Sequence, residues 1–235
     1  MQNKEGWKMK NRILILTGGR LETDFVKKYL ESQEEPFSFI ICADRGLEAA
    51  HEIKLKVDGI VGDFDSLEQK KILEEYKLRE NVEIRSFMPE KDWTDTHLAI
   101  DFALEKNPEE IIILGGTGTR LDHVLGNLNL LMVSVQQGVM TYMIDSWNKI
   151  CLLQGPVEYS ILREKAYGKY VSVMPFTPIV NNVTLEGFKY PLQNADMTMG
   201  NTLGISNEIV EEKARITMER GYLMIIESDD IPRYK

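Results

Sequence analysis

The sequence is poor in the residues that form disulfide frameworks and zinc sites. Its 235 residues include two cysteines, Cys42 and Cys151, and three histidines, His51, His97 and His123. The cysteines lack CxxC spacing and lie in or beside apolar runs, so we expect two small buried side chains rather than a disulfide framework. Because the cysteines and histidines are scattered along the chain, a structural zinc site is not expected.

Long apolar runs and an excess of positive charge are also missing. No run reaches the roughly 18 apolar residues that cross a membrane. The polar residues 1–12 lead into a run too short for a signal peptide, so we expect a cytoplasmic protein that does not bind membranes. Lys and Arg number 28 against 37 Asp and Glu, a net charge of −9. This balance argues against a protein that coats DNA or RNA, but it allows a small polyanion held through divalent cations.

What the sequence does contain is a regular alternation of short apolar runs and helical patterns up to about residue 145. The runs are 13–16, 37–43, 59–62, 82–87, 111–114 and 139–144. Amphipathic stretches between them are 23–32, 67–76, 94–106 and 121–136. Several runs are almost continuously apolar, as is typical of strands buried on both faces of a parallel sheet. Residues 1–146 are therefore predicted to form an α/β domain with a mainly parallel sheet.

The helical periodicity fades after residue 147. Short β-type stretches separated by Gly, Pro and Asn turns follow at 150–153, 159–162, 170–174, 182–185, 209–210, 214–218 and 222–227. The turn 219–221 lies between two of them and predicts a hairpin. Residues 147–235 are therefore predicted to form an all-β domain, an antiparallel sandwich or partial barrel.

Acidic residues follow the second, third, fourth and fifth predicted strands. They are Asp44, Asp63, Asp65, Asp92, Asp95 and Asp122. Ligands of open α/β sheets bind at the carboxyl ends of the strands, so these side chains should gather at one edge. Each one alone could form a turn or cap a helix. Together they favour a metal–phosphate site, and oxygen ligands without clustered His or Cys favour Mg²⁺ or Mn²⁺.

A glycine-rich loop at residues 115–118 lies between a strand and a helix. Its glycines would let a phosphate approach the backbone and the free N–H groups of the next helix, and Arg120 could clamp that phosphate. It is neither a Walker A loop nor a dinucleotide-binding fingerprint, and a tight turn with a solvated Arg120 remains an alternative. Asp122 and His123 could form an acid–base pair, or His123 could orient Asp122 or cap the helix.

Two further groups of residues are predicted to be structural. Gly18 and Gly19, after the first strand, could also face phosphate, but they favour a plain turn. Trp7, Trp93 and Trp147 are predicted to be packing residues rather than stacking platforms.

Taken together, four segments resemble the thiamine diphosphokinase (thiamine pyrophosphokinase) family. They are Asp44, GDFDS at 62–66, KDWTD at 91–95 and GGTGTRLDH at 115–123. Their order and spacing match the family over most of residues 40–127. The segments 187–192 and 204–208 resemble the family's β domain more loosely.

The resemblance implies transfer of a diphosphoryl group from ATP to the hydroxyethyl oxygen of thiamine, giving thiamine diphosphate and AMP. It implies a homodimer that binds thiamine between the α/β domain of one subunit and the β domain of the other. It also implies Mg²⁺ as cofactor, held around Asp44, Asp63, Asp65 and Asp95.

Residue roles follow on the same basis. Thiamine is expected to stack on Tyr190 and to lie near Ser206 and Asn207. Catalytic roles are assigned to Asp65, Asp92, Asp95, Arg120 and Asp122. Contacts to the nucleotide are assigned to Asp44, Arg45, Gly115, Gly116, Thr117, Gly118, Arg120 and His123. Asp95 or Asp92 could accept the hydroxyl proton, and Arg120 would stabilise charge on the triphosphate.

Other functions stay open at this point. A related diphosphokinase acting on a different alcohol, such as a hydroxymethyl pterin, would share the α/β half. A Mg²⁺-dependent phosphohydrolase would use water in place of the alcohol. A nucleotide-sensing module without turnover would not require so many converging carboxylates, and a purely structural protein fits the strand-end residues least.

Overall fold

The computed structural model describes residues 10–64, 67–87, 93–118 and 120–234. The first part of the chain alternates strands and helices, as the sequence predicts. In chain order these are β1 (Arg12–Leu16), α1 (Thr23–Glu31), β2 (Phe39–Ala43), α2 (Gly46–Glu52), β3 (Gly59–Gly62), α3 (Leu67–Lys77), β4 (Glu83–Ser86), α4 (Asp95–Glu105), β5 (Glu110–Leu114), α5 (Leu121–Val135) and β6 (Met140–Ile144). The sequence prediction omitted α2, because its 7 residues are too few to show a helical period.

Strands dominate the second part of the chain. They are β7 (Asn148–Gln154), β8 (Val157–Leu162), β9 (Tyr170–Pro175), β10 (Ile179–Glu186), β11 (Leu192–Thr198), β12 (Asn207–Glu208), β13 (Lys213–Met218) and β14 (Tyr222–Ser228). The sequence prediction omitted β11, since that strand is mostly exposed and polar. The strand predicted at residues 209–210 lies two residues earlier in the structure, as β12. Ile209 itself makes only an isolated bridge to Phe188.

Ten strands form one large sheet in the order β12-β9-β14-β7-β6-β5-β1-β2-β3-β4. Between β6 and β4 in this order, every pair of adjacent strands is parallel. From β6 outward to β12 the neighbours are antiparallel. The predicted fold class, a mainly parallel α/β part followed by an antiparallel β part, is confirmed. The large sheet runs across residue 146, so the domain boundary placed there stays a prediction.

A smaller sheet of four strands, in the order β11-β10-β13-β8, packs on the antiparallel end of the large one. Val183 and Ile216 from the small sheet share one buried apolar cluster with Val173 and Ile225 from the large sheet. This part of the chain is therefore a sandwich, one layer of which continues the α/β sheet.

The hairpin predicted around the turn 219–221 is wrong. Strand β13 pairs with β8 and β10 in the small sheet, whereas β14 pairs with β7 and β9 in the large sheet. The turn crosses between the two layers of the sandwich. Strand β13 is buried at alternate residues, whereas β14 is buried on both faces. Two strand-like runs joined by a short turn do not by themselves distinguish a crossover from a hairpin.

Strand β1 lies near the centre of the large sheet and is buried on both faces. Leu14 and Leu16 pack on the side of α1, and Ile13 and Ile15 pack on the side of α4 and α5. This two-sided burial explains why the strand reads as a continuous apolar run.

Both cysteines are buried free thiols, as expected from the sequence. Burial raises the pKa of the Cys151 thiol to about 12, and it raises the pKa of Cys42 as well. Among the helices that the structure describes, none combines the length and apolar character needed to span a membrane.

Candidate active site

A cleft of about 810 Å³ opens at the carboxyl ends of β1, β2, β3 and β5. Strands β1 and β5 are adjacent and parallel. Helix α1, which follows β1, packs on one face of the sheet, and α5, which follows β5, packs on the other. The cleft therefore lies at the point where the chain reverses its winding, which is where open α/β sheets bind their ligands.

Three of the predicted acidic residues line this cleft, namely Asp44, Asp63 and Asp95. Each comes from a different loop or helix start, so the sheet edge brings them together as the strand pattern predicts. Asp65 and Asp92 lie outside the described residues. Among the residues that are described, no group of three or more His, Cys, Asp or Glu side chains could hold a metal ion.

Asp44 is held in an unusual backbone conformation directly after β2. Its φ is 49°, in the left-handed region that few residues other than Gly, Asn and Asp adopt. Its carboxylate lies so close to Gly18 that a Cβ atom at Gly18 would overlap it. Gly18 is thus required for the approach of the β1 and β2 ends, a role beyond the plain turn predicted from the sequence.

The segment after β3 is anchored by Phe64. This residue also has a positive φ, 54°, and its ring is 4% exposed and belongs to the core on the α1 side of the sheet. The neighbouring Asp63 lines the cleft. Burial of the aromatic ring therefore holds the loop in a conformation that presents the carboxylate to the cleft.

Two loops rich in glycine, 18–20 and 115–118, are hydrogen-bonded to each other. The Gly19 N–H donates to the Gly115 carbonyl at 2.9 Å, and the Arg20 N–H donates to the Thr117 carbonyl at 3.0 Å. From α5, Asn127 Nδ2 donates to the Gly116 carbonyl at 2.8 Å. Gly18, Gly19, Gly116, Thr117 and Gly118 line the cleft together. The sequence predicts the second loop as a phosphate cradle but does not predict that it is joined to the first.

Gly115 lies behind this pair of loops and is buried. Its φ is 80°, and a Cβ atom there would lie 2.7 Å from Leu21 Cγ and overlap the Thr17 carbonyl oxygen. We expect Gly115→Ala to lower the free energy of unfolding by about 2 kcal/mol, through backbone strain and overpacking. Urea denaturation of both proteins measures this difference.

The matched control is Gly126→Ala in the exposed face of α5, where a Cβ atom would meet nothing within 4 Å. That substitution should leave the stability unchanged or raise it by up to about 1 kcal/mol. Equal effects of the two substitutions would contradict the packing role of Gly115.

Arg120 and Asp122, at the start of α5, form an exposed ion pair. Arg120 Nη2 donates to Asp122 Oδ2 at 2.6 Å, and Arg120 Nε donates to Oδ1 at 3.2 Å. These hydrogen bonds lower the pKa of Asp122. Arg120 and His123 line the cleft, and Arg45 does so from the start of α2. Asp122 is paired with Arg120 in this arrangement. The acid–base pair of Asp122 and His123 therefore stays a prediction.

The start of α4 is fixed to the floor of the cleft. Thr94 caps the helix by accepting a hydrogen bond from the His97 N–H at 3.3 Å. Thr96 Oγ1 lies 2.6 Å from Thr17 Oγ1, and both side chains are buried. This contact ties the helix that carries Asp95 to the end of β1. Sequence reasoning missed it, since the two threonines are far apart in the chain.

Trp93 is not the packing residue that the sequence analysis predicted. It is 56% exposed and lines the cleft. Its ring lies edge-on to His97, with the centroids 4.5 Å apart. Two further acidic residues of the cleft, Glu48 and Glu52, were missed because they lie on α2, which the sequence prediction omitted.

The residues predicted to bind thiamine lie elsewhere. Tyr190 is 61% exposed, whereas Asn207 is buried. Asn207 Oδ1 accepts from the Tyr190 N–H at 3.0 Å, and its Nδ2 donates to the Tyr190 carbonyl at 2.7 Å. Asn207 therefore holds the backbone of Tyr190 in place. The neighbouring Ser206 has a φ of 56°, and its N–H donates to Ser172 Oγ at 3.0 Å.

These thiamine-side residues lie at the β12 edge of the large sheet, six strand positions from β1. At about 4.8 Å per strand this corresponds to roughly 30 Å. Tyr190, Ser206 and Asn207 are not among the residues that line the cleft. One chain by itself therefore does not bring the two predicted parts of the site together.

Comparison with known proteins gives a consistent result. The catalytic-domain model of thiamin pyrophosphokinase matches residues 30–143, and the vitamin B1 binding domain model matches residues 158–223. A thiamine pyrophosphokinase from Bacillus subtilis is 40% identical over 169 residues, 72% of this chain and 77% of the relative.

Solved structures agree in fold over nearly the whole chain. The crystal structure of thiamine pyrophosphokinase from Bacillus subtilis has a TM-score of 0.81 and 35% identity, covering 94% of this chain and 100% of that one. That of thiamin pyrophosphokinase from Geobacillus thermodenitrificans has a TM-score of 0.79 and 32% identity, covering 93% and 98%.

Proposed function

The chain belongs to the thiamine pyrophosphokinase family and transfers a diphosphoryl group from ATP to thiamine, and we propose that it does so in the cleft at the ends of β1, β2, β3 and β5. The observation that carries this proposal is the meeting of Asp44, Asp63 and Asp95 with the two hydrogen-bonded glycine loops. Carboxylates and backbone N–H groups side by side suit a triphosphate bound with cations.

Mg²⁺ is part of the proposal. The donor set fits it, because Asp44, Asp63 and Asp95 offer carboxylate oxygens at one cleft. Mg²⁺ usually keeps several waters and binds one or two protein carboxylates plus substrate phosphates, so a complete protein cage is not required. Asp65 is the fourth proposed ligand. When bound, the ion would neutralise charge between the carboxylates and the triphosphate.

The chain's own groups have separate proposed roles. The N–H groups of residues 116–118 and the start of α5 hold the phosphates, and Arg120 stabilises the charge on them. The thiamine hydroxyl oxygen forms a bond to the β-phosphorus while the bond from that phosphorus to the bridging α–β oxygen breaks, and AMP leaves. Asp95 or Asp92 accepts the hydroxyl proton, and Asp122 orients Arg120 through their ion pair.

A homodimer is proposed because the cleft and Tyr190 are far apart in one chain. A second copy would bring its Tyr190, Ser206 and Asn207 to the cleft. Exposed apolar side chains between β9 and the residues just after β12 favour a surface that a second copy of the chain covers. They are Met174, Met199, Leu203, Ile205 and Val210. A cytoplasmic location, where ATP is available, completes the proposal.

The test is a product assay with purified protein, ATP, Mg²⁺ and thiamine, in which AMP is resolved from ADP. We expect thiamine diphosphate and AMP in equal amounts. ADP with thiamine monophosphate would overturn attack at the β-phosphorus. Phosphate release without thiamine would indicate a phosphohydrolase, and turnover only with a hydroxymethyl pterin would indicate a different acceptor.

A further inference from the structure

A separate groove of about 480 Å³ lies on the α1 side of the large sheet, and we propose that it binds a small phosphate-bearing anion. Its floor is formed by Ile112, Tyr142 and Ile144 from β5 and β6. Its walls are the end of α1, strand β7 and residues 233–234, so we call it the C-terminal groove. It shares no lining residue with the cleft proposed for catalysis. Its volume is within the range of small-molecule sites.

A buried hydroxyl group on α1 supplies the first hydrogen-bond donor of the groove. Tyr29 lines the groove and is 5% exposed. Its hydroxyl has no hydrogen-bond partner among the residues that the structure describes, yet it is not one of the fully enclosed polar atoms. Burial raises the pKa of Tyr29, so the hydroxyl keeps its proton. A buried donor without a partner is costly, and an acceptor bound in the groove would remove that cost.

The guanidinium of Arg233 supplies further donors from the opposite wall. Its Nη1 donates to the Ala166 carbonyl at 3.0 Å and to the Tyr167 carbonyl at 2.8 Å. These bonds fix the side chain but do not neutralise its charge, and in the described part of the chain no carboxylate pairs with it. The N–H groups on Nε and Nη2 are therefore left for a ligand, and such a fork suits phosphate oxygens.

Arg233 and Tyr29 are close enough to act on one ligand. Both contact the ring of Tyr234, whose centroid lies 5.6 Å from Arg233 Cζ and 6.4 Å from the centroid of Tyr29. The ring of Tyr234 also packs against Phe25, and its hydroxyl lies 2.9 Å from Ser32 Oγ. The wall that carries Arg233 is thus held against α1, so the donors are ordered before any ligand binds.

Lys149 adds a third source of donors, from β7. Its Nζ lies 3.2 Å from Glu227 Oε1 and 4.5 Å from the centroid of the Tyr142 ring. Glu227 is 2% exposed and is not among the residues that line the groove. An ammonium has three N–H donors, so Lys149 can bind Glu227 behind the groove and still donate to a ligand in front of it.

The charge of the groove selects an anion. Lys and Arg outnumber Glu among its lining residues by five to three, in a chain with a net charge of −9. One of these glutamates, Glu110, is already engaged, because it accepts from Arg12 Nε at 2.7 Å. The free donors come from three walls. A tetrahedral phosphate presents oxygens in all of these directions, whereas a planar carboxylate presents two oxygens in one plane.

Isothermal titration calorimetry with inorganic pyrophosphate in EDTA tests the groove. We expect one site per chain, since the groove supplies its own cations, whereas the carboxylates of the catalytic cleft repel an anion when no metal is present. Arg233→Gln should weaken this binding about tenfold or more, and Tyr29→Phe, which keeps the ring packing, about tenfold. Arg120→Gln, a change in the catalytic cleft, is the control and should leave the affinity unchanged.

The inference does not rest on the proposed function, because the titration involves no turnover. Absence of binding, or binding that neither Arg233→Gln nor Tyr29→Phe weakens in folded protein, would overturn it. Loss of binding only in Arg120→Gln would place the anion in the cleft and overturn it as well, and equal affinity for malonate would overturn the selection of phosphate. Two further titrations distinguish the sources of the phosphate group. Tighter binding of thiamine diphosphate than of pyrophosphate would support an organic phosphate, and equal affinities would support the free inorganic anion.

Discussion

Substitution of Asp63 by asparagine is expected to lower kcat/KM for thiamine by about 100- to 1000-fold, while the protein stays folded. Asp63 lines the cleft beside Asp44 and Asp95, and the amide is a weaker ligand for Mg²⁺ than the carboxylate. Because the Phe64 ring rather than the Asp63 side chain anchors this loop in the core, the loop should keep its conformation. AMP release measured over a range of Mg²⁺ concentrations gives the loss of kcat/KM. It also shows whether a higher Mg²⁺ concentration restores part of the activity.

The stability of the same variant separates a metal role from a structural one. Carboxylates that share a cleft repel each other when no cation is present. Without Mg²⁺, Asp63→Asn should therefore melt at the same temperature as the unsubstituted protein or slightly above it. With Mg²⁺ and ATP, the unsubstituted protein should gain more stability than the variant.

Asp230→Asn is the matched control, since Asp230 is exposed and is not among the residues that line the cleft. It should change neither the activity nor the response to Mg²⁺. Full activity of Asp63→Asn at low Mg²⁺, or loss of its folded structure, would count against the proposed site.

The position of the acidic residues could be read from the sequence because it depends on a local rule. Apolar runs predict the strands, and parallel strands all present their carboxyl ends at one edge. Asp44, Asp63 and Asp95 line one cleft for that reason. The reaction did not follow from this rule and came from the motifs of the family.

The features that the sequence did not predict depend on contacts between residues that are far apart in the chain. Gly18 shows its role only once the end of β2 lies beside it, because its lack of a side chain makes room for Asp44. The contact between Thr17 and Thr96 likewise requires the pairing of strands distant in sequence. In the second half, two strand-like runs joined by a short turn look the same whether they form a hairpin or cross between layers, so the turn 219–221 was misassigned.

Mixed dimers should recover activity from two inactive variants. Asp63→Asn disables the cleft, and Tyr190→Ala removes the exposed ring proposed to stack on thiamine, so each variant alone should be nearly inactive. If the site is shared between subunits, a heterodimer of the two has one site with both parts intact. Its activity should be about half that of the unsubstituted dimer, because two-fold symmetry gives two sites.

Coexpression with two different affinity tags yields the heterodimer, and its mass in solution establishes the dimer first. The matched control pairs Asp63→Asn with Asp44→Asn, two lesions in the same half of the site. That pair restores nothing under a shared-site arrangement, since every site contains a damaged cleft. A heterodimer of Asp63→Asn and Tyr190→Ala that stays as inactive as its parents would mean that the cleft and Tyr190 do not act across subunits. The roughly 30 Å between the β12 edge and β1 in one chain makes recovery the expected outcome.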